Sequence, residues 1–426
     1  MSAALAPAVY VCVVSNYNLP ELEACLARHP SDIVLVVSDP EQFEQAADRL
    51  ERQLNKALPG VAIHRPDLQP GALPLGGADA VECQAWVQGV LKPFLQRAEL
   101  VSKPRYLNFT GGTKAMILAL VLGIDWNALD YKADGRQQVQ VVALHTGGTG
   151  RPILSAEPPL AIEDVAPLTV AGLHSNHLEH IRPNPLFAHA DSLDLAQAIW
   201  TAQTEQDGAL TALFDALEQV WSSGREAAEF HHERVTIALP EHIDTQALDH
   251  WLQRLAVLQA EVLVRTGNML ALPGNKRRKQ ERDFVAWVNA NWLEQLCHHW
   301  LLEAGLPPQA VALNLKTGFD PARSASQREA DLVIHHRSQT RLIEVKAGLP
   351  DGHSPAELES QVSSLGERFG KTRKALFVSP RLKQQLANRR RWENFHLRCQ
   401  ASQVALCDSQ SALLHFAGLR QAINHA

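Results

Sequence analysis

The apolar and polar positions of this chain fall into two periods. Residues 9–14 (VYVCVV) and 32–38 (DIVLVVS) are unbroken apolar runs of strand length, the pattern of strands covered on both faces. Residues 41–58 carry apolar side chains at three- and four-residue spacing and stop at Pro59-Gly60, which predicts an amphipathic helix. A short strand at 61–64, a Pro/Gly-rich loop at 66–77, a helix at about 78–98, a strand at 106–109, a helix at 115–122 and a strand at 139–144 follow. Strand and helix alternate through residues 1–150. This predicts an α/β unit built on a mostly parallel, doubly wound sheet of Rossmann type.

The pattern then loosens. Residues 151–185 are rich in proline and histidine and read as a connection with little regular structure. Helical periodicity returns at 194–221 and 245–260, with a strand at 235–239 between them. Residues 151–272 are therefore expected to form a partly helical, winged-helix-like connector. His174, His177 and His180 lie in it, but no carboxylate or cysteine set completes a metal-ligand spacing around them.

Charge interrupts two apolar runs in residues 328–348, READLVIHHRSQTRLIEVKAG. The runs 332–334 and 342–345 are separated by six polar residues, 335–340, suited to a hairpin turn. Alternate strand residues share a face, so Glu329 projects with Asp331 and Glu344 with Lys346, while Leu332, Ile334, Ile343 and Val345 point the other way. Antiparallel pairing brings Asp331 and Glu344 together with Lys346 beside them. Converging carboxylates repel and are costly to bury unless a cation compensates. Mg2+ or Mn2+ with oxygen ligands suits that role, and the set is apt for phosphodiester hydrolysis.

Glu329-x-Asp331 followed by Glu344-Val345-Lys346 resembles the active-site hairpin of the PD-(D/E)XK nuclease superfamily. Ala330 stands where the family name has proline. The resemblance implies a restriction-endonuclease-like α/β domain over 273–426, catalysis by Asp331, Glu344 and Lys346, and a further acidic residue from the preceding helix, for which Glu294 is the match. Gln361, in a helix expected at 355–369, is a weaker candidate.

A second loop carries chemistry of its own. The strand at 106–109 runs directly into Thr110-Gly111-Gly112-Thr113-Lys114 and a helix, where glycines, hydroxyls, a helix N-terminus and a lysine favour anions. Ser15-Asn16-Tyr17-Asn18 follows the opening strand at the same end of such a sheet. Neither GxGxxG nor GxxxxGK[ST] is present, so no mononucleotide or dinucleotide cofactor is indicated. NFTGGTKAM is similar to the ligand motif of CARF domains, the Rossmann-like CRISPR sensors that dimerise and bind cyclic oligoadenylates. That resemblance implies ligand contacts from Ser15, Asn16, Thr110, Gly111, Gly112, Thr113 and Lys114, a homodimer, and cyclic tetra-adenylate as the expected activator. With both motifs in one chain, the sequence resembles the cyclic-oligoadenylate-activated CRISPR ancillary nucleases of type III antiviral defence. The alternatives left open are a constitutive DNA-processing nuclease and a ligand-responsive nucleic-acid-binding regulator without catalysis.

Composition alters this picture in one respect. The net charge is −6, but from Pro273 onward there are 22 basic against 14 acidic residues, a net of +8 that leaves −14 for the remainder. Lys276, Arg277, Arg278, Lys279 and Arg282 cluster before the Glu294 helix, and Arg389, Arg390 and Arg391 lie further on. A basic C-terminal part suits a phosphate-rich polymer. No apolar run reaches membrane-spanning length, no secretory leader is recognisable, and the six cysteines form no CxxC pair. A cytoplasmic protein with reduced thiols is expected.

Overall fold

The computed structural model describes residues 6–66, 79–133, 136–146, 152–175, 178–180, 182–221, 234–274, 278–317, 328–349, 354–366, 369, 372–386 and 389–419. Most of the expected loop at 66–77, together with His177, Lys276 and Arg277, lies outside them. The first unit comprises β1 (Ala6–Val13), α1 (Leu19–Arg28), β2 (Pro30–Val36), α2 (Pro40–Ala57), β3 (Ala62–His64), α3 (Ala80–Trp86), α4 (Lys92–Leu95), β4 (Arg105–Asn108), α5 (Lys114–Gly123), β5 (Ala128–Tyr131), β6 (Gln138–Thr146) and β7 (Pro152–Ala161). Its seven strands form one sheet in the order β3-β2-β1-β4-β5-β6-β7. Pairing is parallel from β3 through β5 and antiparallel for β6 and β7.

The opening apolar run accounts for the layering. Val9, Val11 and Val13 face a core made with Trp86, Leu91, Met116 and Leu120 of the α3 to α5 side. Tyr10, Cys12 and Val14 face the opposite core, with Leu22 and Cys25 of α1 and Leu50 and Leu54 of α2. A strand buried on both faces needs no polar alternation, which is why its sequence shows none. The doubly wound α/β architecture expected from periodicity is present.

Residues 151–185 are more regular than expected. Besides β7 they hold α6 (Pro167–Gly172) and β8 (Leu178–His180). Pro158 and Pro159, two of the prolines that suggested a loop, lie in the edge strand β7, where a missing N–H is tolerated, whereas Pro183 and Pro185 lie outside any strand. Next come α7 (Ser192–Thr204), α8 (Gly208–Trp221), β9 (Arg234–Ala238), α9 (Thr245–Ala256), β10 (Val264–Thr266) and β11 (Met269–Pro273). β9, β10 and β11 form a small antiparallel sheet in the order β10-β11-β9.

The remainder consists of α10 (Lys279–Ala286), α11 (Trp292–Glu303), β12 (Val311–Thr317), β13 (Arg328–His336), β14 (Gln339–Lys346), α12 (Pro355–Gly366), β15 (Thr372–Val378), α13 (Pro380–Gln385), α14 (Arg389–Ala401), β16 (Val404–Cys407) and α15 (Gln410–Phe416). The second large sheet has the order β16-β15-β14-β13-β12-β8. β8, from the segment expected as a connector, is its edge strand, and α7 and α8 share a core with α11, β13 and β14. Among the described residues no helix is long and apolar enough to cross a membrane.

Candidate active site

The β13–β14 hairpin is longer and tighter than the sequence suggests. His336 pairs with Gln339, so the turn is only Arg337 and Ser338, both at φ 53°, instead of six residues. Two successive residues at positive φ make the primed turn that matches strand twist, and the polar residues 335, 336, 339 and 340 belong to the strands. At its other end the hairpin opens. The β13–β14 ladder stops at Leu332 and Ile343; beyond it β13 continues along β12, and β14 along β15. Across the gap the Val345 N–H donates to Asp331 Oδ2 at 2.7 Å.

Asp331, Glu344 and Lys346 meet in this fork as expected. Lys346 Nζ lies 2.7 Å from Glu344 Oε1 and 3.8 Å from Asp331 Oδ2. Glu294 reaches the same cleft from α11. A π-helical turn at Trp287–Asn291 precedes it, and Asn291 Nδ2 donates to Glu294 Oε1 at 2.9 Å. Asn184 Nδ2 in turn donates to Asn291 Oδ1 at 3.0 Å, fixing the amide that fixes the carboxylate. π-turns of this kind recur at functional sites because they shift the register of the following side chains.

The cleft has a volume of about 390 Å3, and Glu218, Asn289, Glu294, Asp331, Lys346, Gln361 and Arg381 contribute its polar lining. Burial, with Asp331 nearby, pushes the Glu294 carboxyl up to about 8 and Glu344 up to about 7. Burial also raises Asp331, which Lys346 and the Val345 N–H counteract. Lys346 is itself desolvated, yet Asp331 and Glu344 hold its ammonium well above the ordinary range. Ionised together, the three carboxylates would carry more negative charge than the one lysine neutralises, and the raised glutamates reflect that crowding.

The donors suit a hard divalent cation. Glu294 Oε2 and Glu344 Oε2 are buried with no hydrogen-bond partner. No three His, Cys, Asp or Glu side chains among the described residues converge as a ready metal cage. Two carboxylates, with water and substrate phosphate completing an octahedron, are what Mg2+ commonly takes from a protein.

In the first sheet, the order of strands reverses between β1 and β4, and the loops following these two strands are the two singled out from sequence. This is the switch point at which doubly wound sheets bind ligands. Asn108 Oδ1 accepts the Thr110 N–H at 3.0 Å, and Thr113 Oγ1 caps α5 by accepting the Met116 N–H at 3.3 Å. A Cβ on Gly111 would stand 2.7 Å from the Val13 carbonyl oxygen and 2.5 Å from Glu21 Oε1; Gly112 has φ 85°. Asn16, Gly112, Thr113 and Lys114 are exposed, and Ser15 and Thr110 are half-buried, with Ser15 Oγ donating to the Tyr17 carbonyl at 2.9 Å.

Beneath the loop lies a charged set that the sequence reading did not find. Thr110 Oγ1 accepts the Lys132 N–H at 2.8 Å, and Lys132 Nζ lies 3.0 Å from Glu23 of α1, both side chains sealed from solvent. Asp130 is bridged by Arg28 at 2.6 Å. Glu23 also faces His335 of β13, and Asp164 bonds the His336 ring and the Arg337 N–H, each at 2.8 Å. The tip of the β13–β14 hairpin thus rests on the unit that carries the Thr110–Lys114 loop. The helix at 19–28 was not among the expected elements, although Leu19, Leu22 and Leu26 carry a helical spacing, and nothing in the sequence marks the inward orientation of Glu23.

No protein-family model matches this chain, and no curated protein matches its sequence. Solved structures do. Protein VC1899 from Vibrio cholerae aligns with a TM-score of 0.67 at 15% identity, covering 96% of this chain and 96% of that one. Can2 from Sulfobacillus thermosulfidooxidans, solved in complex with cyclic tetra-adenylate, aligns with a TM-score of 0.60 at 18% identity, covering 96% of this chain and 95% of that one. The chain shares its fold with both proteins over nearly its whole length.

Proposed function

We propose that this chain is a cyclic-oligoadenylate-activated, metal-dependent nuclease of type III CRISPR antiviral defence, cleaving DNA and/or RNA as a homodimer. The observation that carries the reading is the presence, in one chain, of the Asp331, Glu344 and Lys346 cluster and of the Thr110 to Lys114 loop, joined through the hairpin tip. The fold shared with a protein solved with cyclic tetra-adenylate supports the activator. Asp331 and Glu344 are the residues to hold Mg2+ or Mn2+, with Glu294 beside them. When bound, the cation supplies Lewis acidity and charge neutralisation at the scissile phosphate. Lys346 orients the attacking water and offsets charge developing on the phosphate oxygens. On the sensor side, Lys114 and the helix N-terminus behind Thr113 provide positive potential for the activator's phosphates.

Leu118 and Leu122 of α5 lie one helical turn apart and are 54% and 71% exposed, next to the ligand loop. A second copy is the natural cover for this apolar ridge. The test is cleavage of labelled single-stranded DNA, single-stranded RNA and supercoiled plasmid with Mg2+ or Mn2+, with and without cyclic tetra-adenylate. Activator-dependent cutting that Glu344→Ala abolishes supports the proposal; cutting indifferent to the activator removes the sensor part, and no cutting with either metal removes the nuclease.

A further inference from the structure

We propose that Arg381 is the side chain that grips a substrate phosphate in the cleft, and that Glu218 of α8 occupies it when no nucleic acid is bound. The inference rests on the nuclease reading of the cleft and names a residue that the sequence motif does not include. Among the described residues, Lys346 and Arg381 are the cations lining the cleft. Lys346 is committed to Glu344 and Asp331. The partners of Arg381 lie outside the catalytic hairpin: its Nη2 bonds Asp215 at 2.7 Å and Glu218, both on α8. Arg381 is only 6% exposed, and its Nε has no hydrogen-bond partner among the described residues.

Its mounting is rigid with respect to the catalytic strand. Ser379 N donates to the Lys346 carbonyl at 3.0 Å, and Ser379 Oγ donates to the Ala347 carbonyl at 2.6 Å. The same hydroxyl caps α13 by accepting the Leu382 N–H at 3.0 Å. Only Pro380 separates this clamp from Arg381. Gly348 leaves space for the guanidinium, since a Cβ there would stand 2.7 Å from Arg381 Nη1. An arginine fork held in this way matches the geometry of a phosphate and can bond it through two nitrogens.

Glu218 and Asp215 present carboxylates where a polyanion would present its phosphates. The Asp215 side chain is 60% exposed, so its share of the pairing is weak and easily exchanged. Gln385 Nε2 also donates to Glu218 Oε2, at 3.2 Å, and keeps that carboxylate in place beside the cleft. Incoming nucleic acid and α8 therefore compete for one guanidinium.

The test is fluorescence anisotropy of labelled 12-nucleotide single-stranded DNA and RNA, in EDTA to prevent cleavage, over a salt series. Arg381→Gln is expected to weaken binding about tenfold and to reduce the slope of log K against log salt by about 0.7, the value for one lost phosphate contact on a single strand. Arg381→Lys should recover part of the affinity. Glu218→Gln should tighten binding several-fold, and that gain should vanish in the Arg381→Gln background. Thermal melts confirm that each variant is folded. Wild-type affinity and slope in folded Arg381→Gln, or a Glu218→Gln gain that persists without Arg381, overturns this inference and leaves the nuclease reading intact. Failure of the wild-type chain to bind either strand or the same sequence as a duplex, with cyclic tetra-adenylate present, overturns both.

Discussion

Glu23 Oε1 of α1 and His335 Nε2 of β13 face each other at 3.6 Å, with both side chains closed to solvent. Glu23 also pairs with the buried Lys132. Removing one partner of a buried ion pair strands the other charge, which typically costs about 3–5 kcal/mol. Lys132→Met should therefore lower Tm strongly in a thermal melt. Adding Glu23→Gln should recover most of the loss, because no charge is then left uncompensated. A Tm for Lys132→Met within one degree of wild type would contradict the assigned pairing.

The crowded carboxylates imply opposite effects on stability and activity. Glu294→Gln and Glu344→Gln each remove a buried acid disfavoured by desolvation and by Asp331. In metal-free buffer at pH 8 each should raise stability by roughly 1–2 kcal/mol. Cleavage with Mg2+ or Mn2+ should fall at least a hundredfold for Glu344→Gln. Calorimetric melts and cleavage assays on the same preparations test both halves.

On the proposed function, chelation should silence cleavage reversibly. With EDTA, cleavage is expected to drop to background, and added Mg2+ or Mn2+ should restore it. Cyclic tetra-adenylate binding should persist in EDTA, because its loop belongs to the other sheet. Isothermal titration with and without chelator separates the two sites.

Gly111 is the tightest position of the ligand loop. Gly111→Ala forces its methyl against the Val13 carbonyl, which cannot yield without moving β1. The loop must shift, and the affinity for cyclic tetra-adenylate should fall at least tenfold by calorimetry. Lys114→Ala should weaken binding less and mainly flatten its salt dependence.

The stability of the first unit should depend on pH through His174. Its ring stacks on Tyr17 at 5.7 Å, and burial, with Arg49 nearby, pulls its pKa down to about 4. The folded chain keeps the ring neutral while the unfolded chain takes up a proton near pH 6.5. This contribution is thus fully present above pH 6.5 and is lost as pH falls from there to about 4, at no more than about 1.4 kcal/mol per unit. His174→Phe should retain the stacking and flatten the Tm profile between pH 4 and 6.5. An unchanged difference between the two proteins across that window would refute the assignment.

Periodicity revealed the elements whose burial is uniform. β1, with its apolar residues on both faces, and α2, with one apolar stripe, were legible from residue types alone. The fork of the β13–β14 hairpin was legible because strand alternation places Glu344 and Lys346 on one face whatever the surrounding fold. Arg381, Asn291 and Glu23 were not, because their roles come from contacts with elements 107 to 312 positions away in sequence, and an isolated arginine, asparagine or glutamate carries no periodic signal. β7 was missed for a different reason: its prolines mark a loop unless the strand is known to lie at an edge.

The fork has a further consequence. Asp331 belongs to the half of the sheet formed with β12 and β8, and Glu344 to the half formed with β15 and β16. Beyond the Leu332–Ile343 pair, a side-chain bond to Val345 and a lysine span the divide among the described residues. The spacing of the two carboxylates is therefore set by the relative twist of two half-sheets, as the gap of a pair of calipers is set at its pivot, and the pivot here is the Leu332–Ile343 pair at which the ladder ends.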